Sequence, residues 1–144
     1  MINKGMFTSK TEEWATPIDF FKKVDKEFKF TLDVCATAEN AKCNNFYTKE
    51  DNGLNKAWEG CVWCNPPYGR EIDKWVRKAQ YEANKNADLI VMLLPARTDT
   101  KWFHDVCLKH EIRFIKGRLH FNESKQSAPF PSMLVVMRGK NGSN

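Results

Sequence analysis

The sequence predicts an α/β protein with a mostly parallel sheet and helices on both faces. Short apolar runs typical of strands alternate with segments whose apolar residues recur at helical spacing, and this alternation is typical of parallel sheets. The run 89–94 is apolar throughout, which is typical of a central strand buried on both faces. The chain has 144 residues, 42% of them hydrophobic, which suits one domain with its own core.

Helical periodicity predicts helices over 18–27, over 71–84 and from Thr100 to about Lys109. We expect Thr16 to cap the first helix with its hydroxyl and Pro17 to take the first helical position, where its missing N–H costs nothing. Strands are expected over 30–34, 61–64, 88–94, 112–115 and 133–137, with a short strand at 46–47.

The predicted domain organisation is a flexible N-terminal arm over 1–12, one domain over 13–138 and a frayed tail over 139–144. The longest apolar runs are too short to span a bilayer, so we expect no membrane segment. The net charge of +5 is compatible with a polyanionic partner without requiring one.

The five cysteines and the lack of an export signal predict reduced thiols in a cytoplasmic protein. Cys61 and Cys64 have the C-x-x-C spacing, and Cys35 and Cys43 are the nearest candidates to complete a zinc site. No second C-x-x-C pair is present and both residues fall on a predicted buried strand. We therefore expect packing thiols and no metal.

The motif that carries chemistry is Asn65-Pro66-Pro67-Tyr68, directly behind the predicted strand at 61–64. A residue before proline is held extended, and two prolines give a rigid turn that presents carbonyl acceptors and lacks N–H donors. Tyr68 adds an aromatic face. Rigid acceptors beside an aromatic ring suit a planar group that carries an NH2, although a plain strand-ending turn is the simpler alternative.

These residues resemble the amino-group methyltransferases that use S-adenosylmethionine, and the wider pattern is similar to the small phage-type DNA adenine-N6 methyltransferases. The resemblance runs in order from Trp14 to Val136. The matching segments are Trp14-x-Thr16-Pro17, Leu32-Asp33-Val34-Cys35-Ala36, Asn40-Ala41-x-Cys43, Asp51-x-Gly53-Leu54, Asn65-Pro66-Pro67-Tyr68, Leu94-Pro95-Ala96-Arg97-Thr98, Gly117-Arg118-Leu119-x-Phe121 and Pro129-Phe130-Pro131-Ser132.

The resemblance implies a single-domain Rossmann-like methyltransferase fold with the cofactor over the carboxyl ends of the strands. The Gly-x-Gly turn usual after the first strand is replaced here by Val34-Cys35-Ala36. The interval from Asp33 to Asn65 is also short, so we expect abbreviated second and third strands. The residues that the resemblance places at S-adenosylmethionine are Thr16, Pro17, Asp33, Cys35, Ala36, Asn40, Asp51 and Leu54. For Asp33 the alternative is a strand-end carboxylate bound to local N–H groups, and for Asp51 it is an ordinary turn residue.

The implied reaction is methyl transfer to the N6 amine of adenine. The Asn65 oxygen and the Pro66 carbonyl are expected to accept the N–H bonds of this amine, while Tyr68 stacks on the flipped base. Double-stranded DNA is the implied partner, and a homodimer is left open. The candidate DNA contacts are Arg97, Thr98, Arg118 and Lys125, with ion pairs or solvated loops as their alternatives.

Other readings of the motif remain at this point. The acceptor geometry also suits a glutamine side-chain amide or an RNA amino group, so protein-glutamine and RNA methyltransferases are the nearest rivals. A non-catalytic DNA-binding or zinc-stabilised module is a third. The resemblance implies action in the cytoplasm of a bacterial host, from a phage or prophage gene.

Overall fold

A five-stranded sheet runs through the computed structural model, which describes residues 14–139. Its strand order is β1-β2-β3-β5-β4. The longest strand, β3, lies at the centre, and its residues from Ile90 to Pro95 are buried, as the apolar run predicts. The bounds are β1 Leu32–Asp33, β2 Gly60–Cys64, β3 Ala87–Pro95, β4 Glu111–Phe114 and β5 Ser132–Arg138.

The sheet is mixed, so the expected mostly parallel arrangement is confirmed only in part. Strands β1, β2 and β3 pair in parallel, with Asp33 opposite Trp63 and Val62 opposite Ile90. Strand β5 runs antiparallel to both of its neighbours, β3 and β4. Four of the five strands in the described part therefore share one direction, and β5 enters the sheet at the edge where β3 ends.

Three α-helices in residues 14–139 match the predicted ones closely: α1 Ile18–Phe28, α2 Ile72–Lys85 and α3 Lys101–Asp105. The third is shorter than predicted, because a 3-10 turn at Cys107–Lys109 follows it. Thr100 caps α3, since its hydroxyl accepts a hydrogen bond from the Phe103 N–H. None of these helices is long and apolar enough to cross a membrane.

The predicted cap of α1 is wrong. The Thr16 hydroxyl makes no capping bond, and Pro17 lies just before the first helical residue. The Ile18 N–H instead donates to a carboxylate oxygen of Glu123, 2.8 Å away. A negative charge at a helix N-terminus is favourable, so this distant residue replaces the local cap and releases the Thr16 hydroxyl for another partner.

The segment between β1 and β2 is more irregular than expected. The abbreviated second and third strands reduce to one parallel bridge between Asp33 and Phe46, and a 3-10 turn follows at Gly53–Asn55. The predicted arm over 1–12 and the tail beyond Gly139 lie outside the described residues. At the tail's start, the Gly139 N–H donates to the Asp88 carbonyl.

A buried carboxylate attaches this irregular segment to α2. Glu82 accepts hydrogen bonds from the Trp58 backbone N–H, the Lys78 ammonium and the Asn86 amide, each at 2.8 Å. Burial disfavours the charged form, but the three donors outweigh it, and the pKa of Glu82 is lowered. The Trp58 indole N–H completes the attachment by donating to the Gly53 carbonyl.

We expect Glu82→Ala to lower the free energy of unfolding by about 2–4 kcal/mol, because it leaves a buried N–H and an ammonium without their acceptor. Urea denaturation followed by tryptophan fluorescence measures this loss. Asp73→Ala on the same helix removes an exposed pair with Arg77 and is the matched control, expected to cost less than about 1 kcal/mol. Equal losses in the two variants would contradict the role given to Glu82.

Candidate active site

A cavity of about 1030 Å³ opens where the parallel strands end. Strands β1 and β2 finish side by side, so Asp33 and Asn65 reach the same edge of the sheet. Its walls combine backbone turns, polar side chains and aromatic rings. The lining residues used below are Trp14, Thr16, Asp33, Cys35, Ala36, Asn40, Lys42, Gly53, Leu54, Asn65, Pro66, Arg70 and Asn122.

The side-chain amide of Asn65 is held from one end only. Its NH2 group donates to the Trp14 carbonyl oxygen and, at 2.9 Å, to the Thr16 hydroxyl. A carbonyl can only accept, so the NH2 group must face Trp14 and the amide cannot be flipped. The opposite atom, Asn65 Oδ1, is buried and has no hydrogen-bond partner among the described residues. A buried acceptor without a partner is costly, so the site is built to receive an N–H donor.

A loop far along the chain holds the segment that fixes Asn65. The Asn122 side-chain oxygen accepts a bond from the Ala15 N–H at 2.8 Å. The Asn122 N–H donates to the Ala15 carbonyl at 2.9 Å. Asn122 has a φ of 59°, a left-handed conformation that asparagine tolerates better than most residues. Residues 14–16 are therefore held between the motif and this loop.

Tyr68 is more enclosed than a free aromatic face. Its ring is 2% exposed, and its hydroxyl donates to the Leu93 carbonyl at 3.0 Å. The Trp14 ring lies nearly parallel to it, with ring centroids 6.5 Å apart and an interplanar angle of 18°. Phe121 and Phe130 pack against it edge-on. In this conformation the Trp14 ring therefore lies alongside Tyr68, the residue expected to stack on a base.

Asp33 is a buried carboxylate with two backbone donors, the Cys35 N–H at 3.2 Å and the Lys42 N–H at 3.0 Å. Burial dominates these hydrogen bonds and raises the pKa of Asp33 to about 6. The local N–H bonds match the alternative given to this residue. However, they leave its charge undercompensated, and the carboxylate lines the cavity. Asp33 therefore holds the β1 turn, and it lies at the wall of the cavity although only 2% of its surface is exposed.

Most of the other cofactor candidates come together. Thr16, Cys35, Ala36, Asn40 and Leu54 all line the cavity, whereas Pro17 and Asp51 do not. Asp51 accepts bonds from the backbone N–H and the hydroxyl of Thr48, which lower its pKa. Its contacts are those of a turn-forming aspartate, and neighbouring residues supply the wall.

Gly53 is required where the 3-10 turn approaches the end of β1. A β-carbon at this position would lie 2.3 Å from the Val34 carbonyl oxygen and 3.2 Å from the Trp75 ring. Only glycine therefore lets the 3-10 turn pack against the end of β1.

The candidate DNA residues lie on the same edge of the sheet but outside the cavity lining. Arg97 and Thr98 are exposed just after β3, and Arg118 is exposed after β4 and donates to the Ala128 carbonyl. Lys125 is exposed in the loop that leads into β5. Burial raises the pKa of Tyr68, and the positive charge of Arg97 opposes that rise.

The C-x-x-C thiols are placed as packing groups. Cys64 is fully buried, and its pKa is raised well above the usual range by burial. The Cys61 thiol donates to the Phe28 carbonyl at 3.0 Å. Within residues 14–139 no three His, Cys, Asp or Glu side chains are grouped so that they could hold a metal ion.

Sequence reasoning missed the residues that support the motif. Trp14 was matched without a role, and Lys42, Arg70 and Asn122 line the cavity without having been singled out. Asn122 lies 107 residues from its partner Ala15, so no local pattern connects them. For Lys42, the sequence offered only its closeness to Asp33 along the chain.

An acceptor at the end of one strand, a buried carboxylate at the end of the next and a large cavity between them suit the amino-group methyltransferase that the sequence predicts. Comparison with known proteins specifies the type. The family described as DNA N-6-adenine-methyltransferase (Dam) matches residues 5–143, and the chain belongs to it. The protein is therefore an adenine-specific DNA methyltransferase, and the rival glutamine, RNA and non-catalytic readings are set aside.

Two relatives carry the same description. The chain is 36% identical to the DNA N-6-adenine-methyltransferase of Haemophilus phage HP1 over 146 residues, covering 92% of this chain and 83% of the relative. It is 41% identical to the DNA N-6-adenine-methyltransferase of Escherichia phage T1 over 95 residues, covering 62% and 38%. The second relative is thus much longer than the aligned part.

The raised pKa of Asp33 predicts a loss of stability with rising pH. The carboxyl has an ordinary pKa of 3.8 in the unfolded chain and about 6 when folded, so its contribution is complete below pH 3.8 and is lost as pH rises through 6. Between pH 4 and 7 we expect the free energy of unfolding of wild type to fall by up to about 3 kcal/mol relative to that of Asp33→Asn. Urea denaturation across this range measures the difference. Asp99→Asn controls for loss of an exposed carboxylate. If wild type instead became more stable than Asp33→Asn as pH rises, the raised pKa of Asp33 would be refuted.

Proposed function

We propose that this protein transfers a methyl group from S-adenosylmethionine to adenine N6, with the cofactor in the 1030 Å³ cavity and the target amine at Asn65. The observation that carries the proposal is the buried Asn65 oxygen, which has no partner among residues 14–139 while its NH2 group is held at two points. The amine of a flipped adenine supplies the N–H that this oxygen lacks.

The residues of the cavity fit the chemistry of the cofactor. S-adenosylmethionine carries an ammonium and ribose hydroxyls, which suit the undercompensated Asp33 carboxylate and the Asn40 amide. Its carboxylate suits Lys42, and its adenine ring suits the apolar wall around Leu54 and Trp75. Cys35 and Ala36 complete this wall, whereas the hydroxyl of Thr16, which also lines the cavity, is bonded to Asn65. When bound, the cofactor supplies an electrophilic methyl group on a positively charged sulfur.

The protein's part in the reaction is to orient and polarise the amine. The exocyclic nitrogen of adenine is a weak nucleophile because its lone pair is delocalised into the ring. Asn65 Oδ1 and the Pro66 carbonyl accept hydrogen bonds from the two N–H groups of this amine. These bonds localise the nitrogen lone pair and direct it at the methyl group. Pro66 and Pro67 keep this array rigid, so the stabilisation is preorganised. No strong base is required at the moment of attack.

We further propose that the adenine ring stacks on Tyr68. Because Trp14 now covers that ring, its side chain must rotate away as the base enters. The Trp14 carbonyl stays bonded to Asn65 during this rotation, since a side-chain torsion leaves the backbone in place. The Tyr68 hydroxyl, bonded to Leu93, fixes the plane on which the base is received.

Double-stranded DNA is the proposed substrate, with Arg97, Thr98, Arg118 and Lys125 contacting its phosphates around the flipped nucleotide. All four follow or precede strands that meet at the edge carrying Asn65. Pro17 and Asp51 are proposed to support the cofactor wall from behind it. Phosphate contacts position a protein on duplex DNA without reading its sequence, which suits a chain of this size.

The wider setting follows from the family. We propose an abbreviated Rossmann-like methyltransferase fold with helices on both faces of the sheet, in a domain over 13–138. The phage relatives support a phage or prophage gene and action in the cytoplasm of the bacterial host, where its DNA lies. A homodimer stays a prediction.

The test of this function is incubation with methyl-labelled S-adenosylmethionine and unmethylated duplex DNA, followed by nucleoside analysis. Labelled N6-methyladenine is expected from wild type. Asn65→Ala is expected to lower the rate at least about a hundredfold, because it removes the acceptor while the cofactor cavity keeps its walls. Cofactor affinity, measured by isothermal titration calorimetry, should stay close to that of wild type.

Asn55→Ala is the matched control, since it removes the side-chain amide of an exposed asparagine in the irregular segment between β1 and β2. It is expected to retain full activity. If Asn65→Ala kept more than a few per cent of wild-type activity, or if label appeared on cytosine, the assignment of the acceptor site would fail.

A further inference from the structure

We infer that Thr16 is a positioning residue for methyl transfer, which acts by holding the Asn65 amide in its reactive orientation. This inference rests on the proposed role of Asn65. It assigns Thr16 a role different from cofactor binding, which is the role that the family resemblance implies. The observations that carry it are the hydrogen bond to Asn65, the burial of Thr16 and the bonds that hold residues 14–16 in place.

The bond to Thr16 decides how freely Asn65 can turn. With two acceptors on its NH2 group, the amide is restrained both in rotation and in plane. With the Trp14 carbonyl alone, one anchor remains and the amide can pivot about it. The oxygen at the opposite end would then sweep over the cavity wall and lose its alignment with the amine. Small misalignments of a reacting group are costly in rate.

The hydroxyl of Thr16 is placed for this task. Thr16 is 4% exposed, and its Oγ1 accepts from Asn65 at 2.9 Å. It does not cap α1, because Glu123 bonds the Ile18 N–H instead. A threonine before a helix usually caps its N-terminus, but here Glu123, which lies 105 residues from Ile18 along the chain, does so. This exchange leaves the hydroxyl available to the motif.

Asn122 gives this arrangement its rigidity. Its two bonds to Ala15 hold the residue between the two Asn65 acceptors. The same loop contributes Phe121, which packs edge-on against both Trp14 and Tyr68. Residues 14–16 thus form a strap whose two acceptors are held from the outside by the 121–123 loop. The loop supports Asn65 through this strap.

The experiment compares Thr16→Val with Thr16→Ser in single-turnover methylation at saturating cofactor and DNA. Valine keeps the shape and removes the acceptor, so we expect the rate to fall about tenfold. Serine restores the hydroxyl and should return the rate to within about twofold of wild type. Dissociation constants for S-adenosylmethionine and for DNA are measured on the same variants and should not change.

Two outcomes overturn the inference. If Thr16→Val methylates at the wild-type rate, the second anchor is not needed. If it weakens cofactor binding while the rate at saturation is unchanged, Thr16 is a cofactor contact. Either result can be distinguished from failure of the proposed function, because in that case the Asn65→Ala variant would stay active.

A second variant tests the support of the strap without touching its acceptors. Asn122→Gly removes the side-chain oxygen and tolerates the left-handed backbone, so it avoids the strain that alanine would introduce. We expect a severalfold lower saturated rate with unchanged cofactor affinity, and no further loss when it is combined with Thr16→Val. Full additivity of the two losses would show that Asn122 acts independently of Thr16 and would refute the strap.

Discussion

The parallel pairing of β1 with β2 is the constraint on which the rest of the site depends. Asp33 lies opposite Trp63, which comes two residues before Asn65. The chain therefore leaves both strands at the same edge of the sheet. Although β1 is only two residues long, it is held on both sides, by β2 and by the bridge to Phe46. The cavity exists because these two strands end together and the connection between them arches over the edge.

Two buried carboxylates show how the irregular connection is held and where it is left open to a ligand. Glu82 has three donors, one of them charged, and its pKa is lowered. Asp33 has two backbone donors, and burial raises its pKa to about 6. The first carboxylate is satisfied by the fold and anchors Trp58. The second remains undercompensated inside the cavity, which is typical of a group that meets its partner only when a ligand binds.

The elements with local signals were predictable, and those set by distant contacts were not. Apolar runs and helical periodicity located the five strands and three α-helices of residues 14–139 to within a few residues, whereas the reactive role of the acceptor turn at Asn65 stays a prediction. The reversed direction of β5 has no local signal, because a strand buried on both faces has the same apolar sequence in either direction. The cap of α1 was misassigned because Glu123, which lies 105 residues from Ile18, accepts the hydrogen bond from the Ile18 N–H in place of a local cap by Thr16. The glycine at 53 answers a close approach to Val34 that only the folded chain creates.

The strap over residues 14–16 reconciles a covered aromatic ring with a site that must admit a base. Its backbone holds Asn65, whereas its indole ring covers Tyr68, so the two functions belong to separable parts of the same residue. An aromatic pair contributes about 0.5–1.5 kcal/mol beyond area burial, and a base stacked on an aromatic side chain contributes about 1–3 kcal/mol. Exchanging the indole for adenine therefore costs little at the ring. In the proposed reaction the larger cost, unstacking the base from the duplex, is offset by new hydrogen bonds to the Asn65 oxygen, which has no partner among residues 14–139.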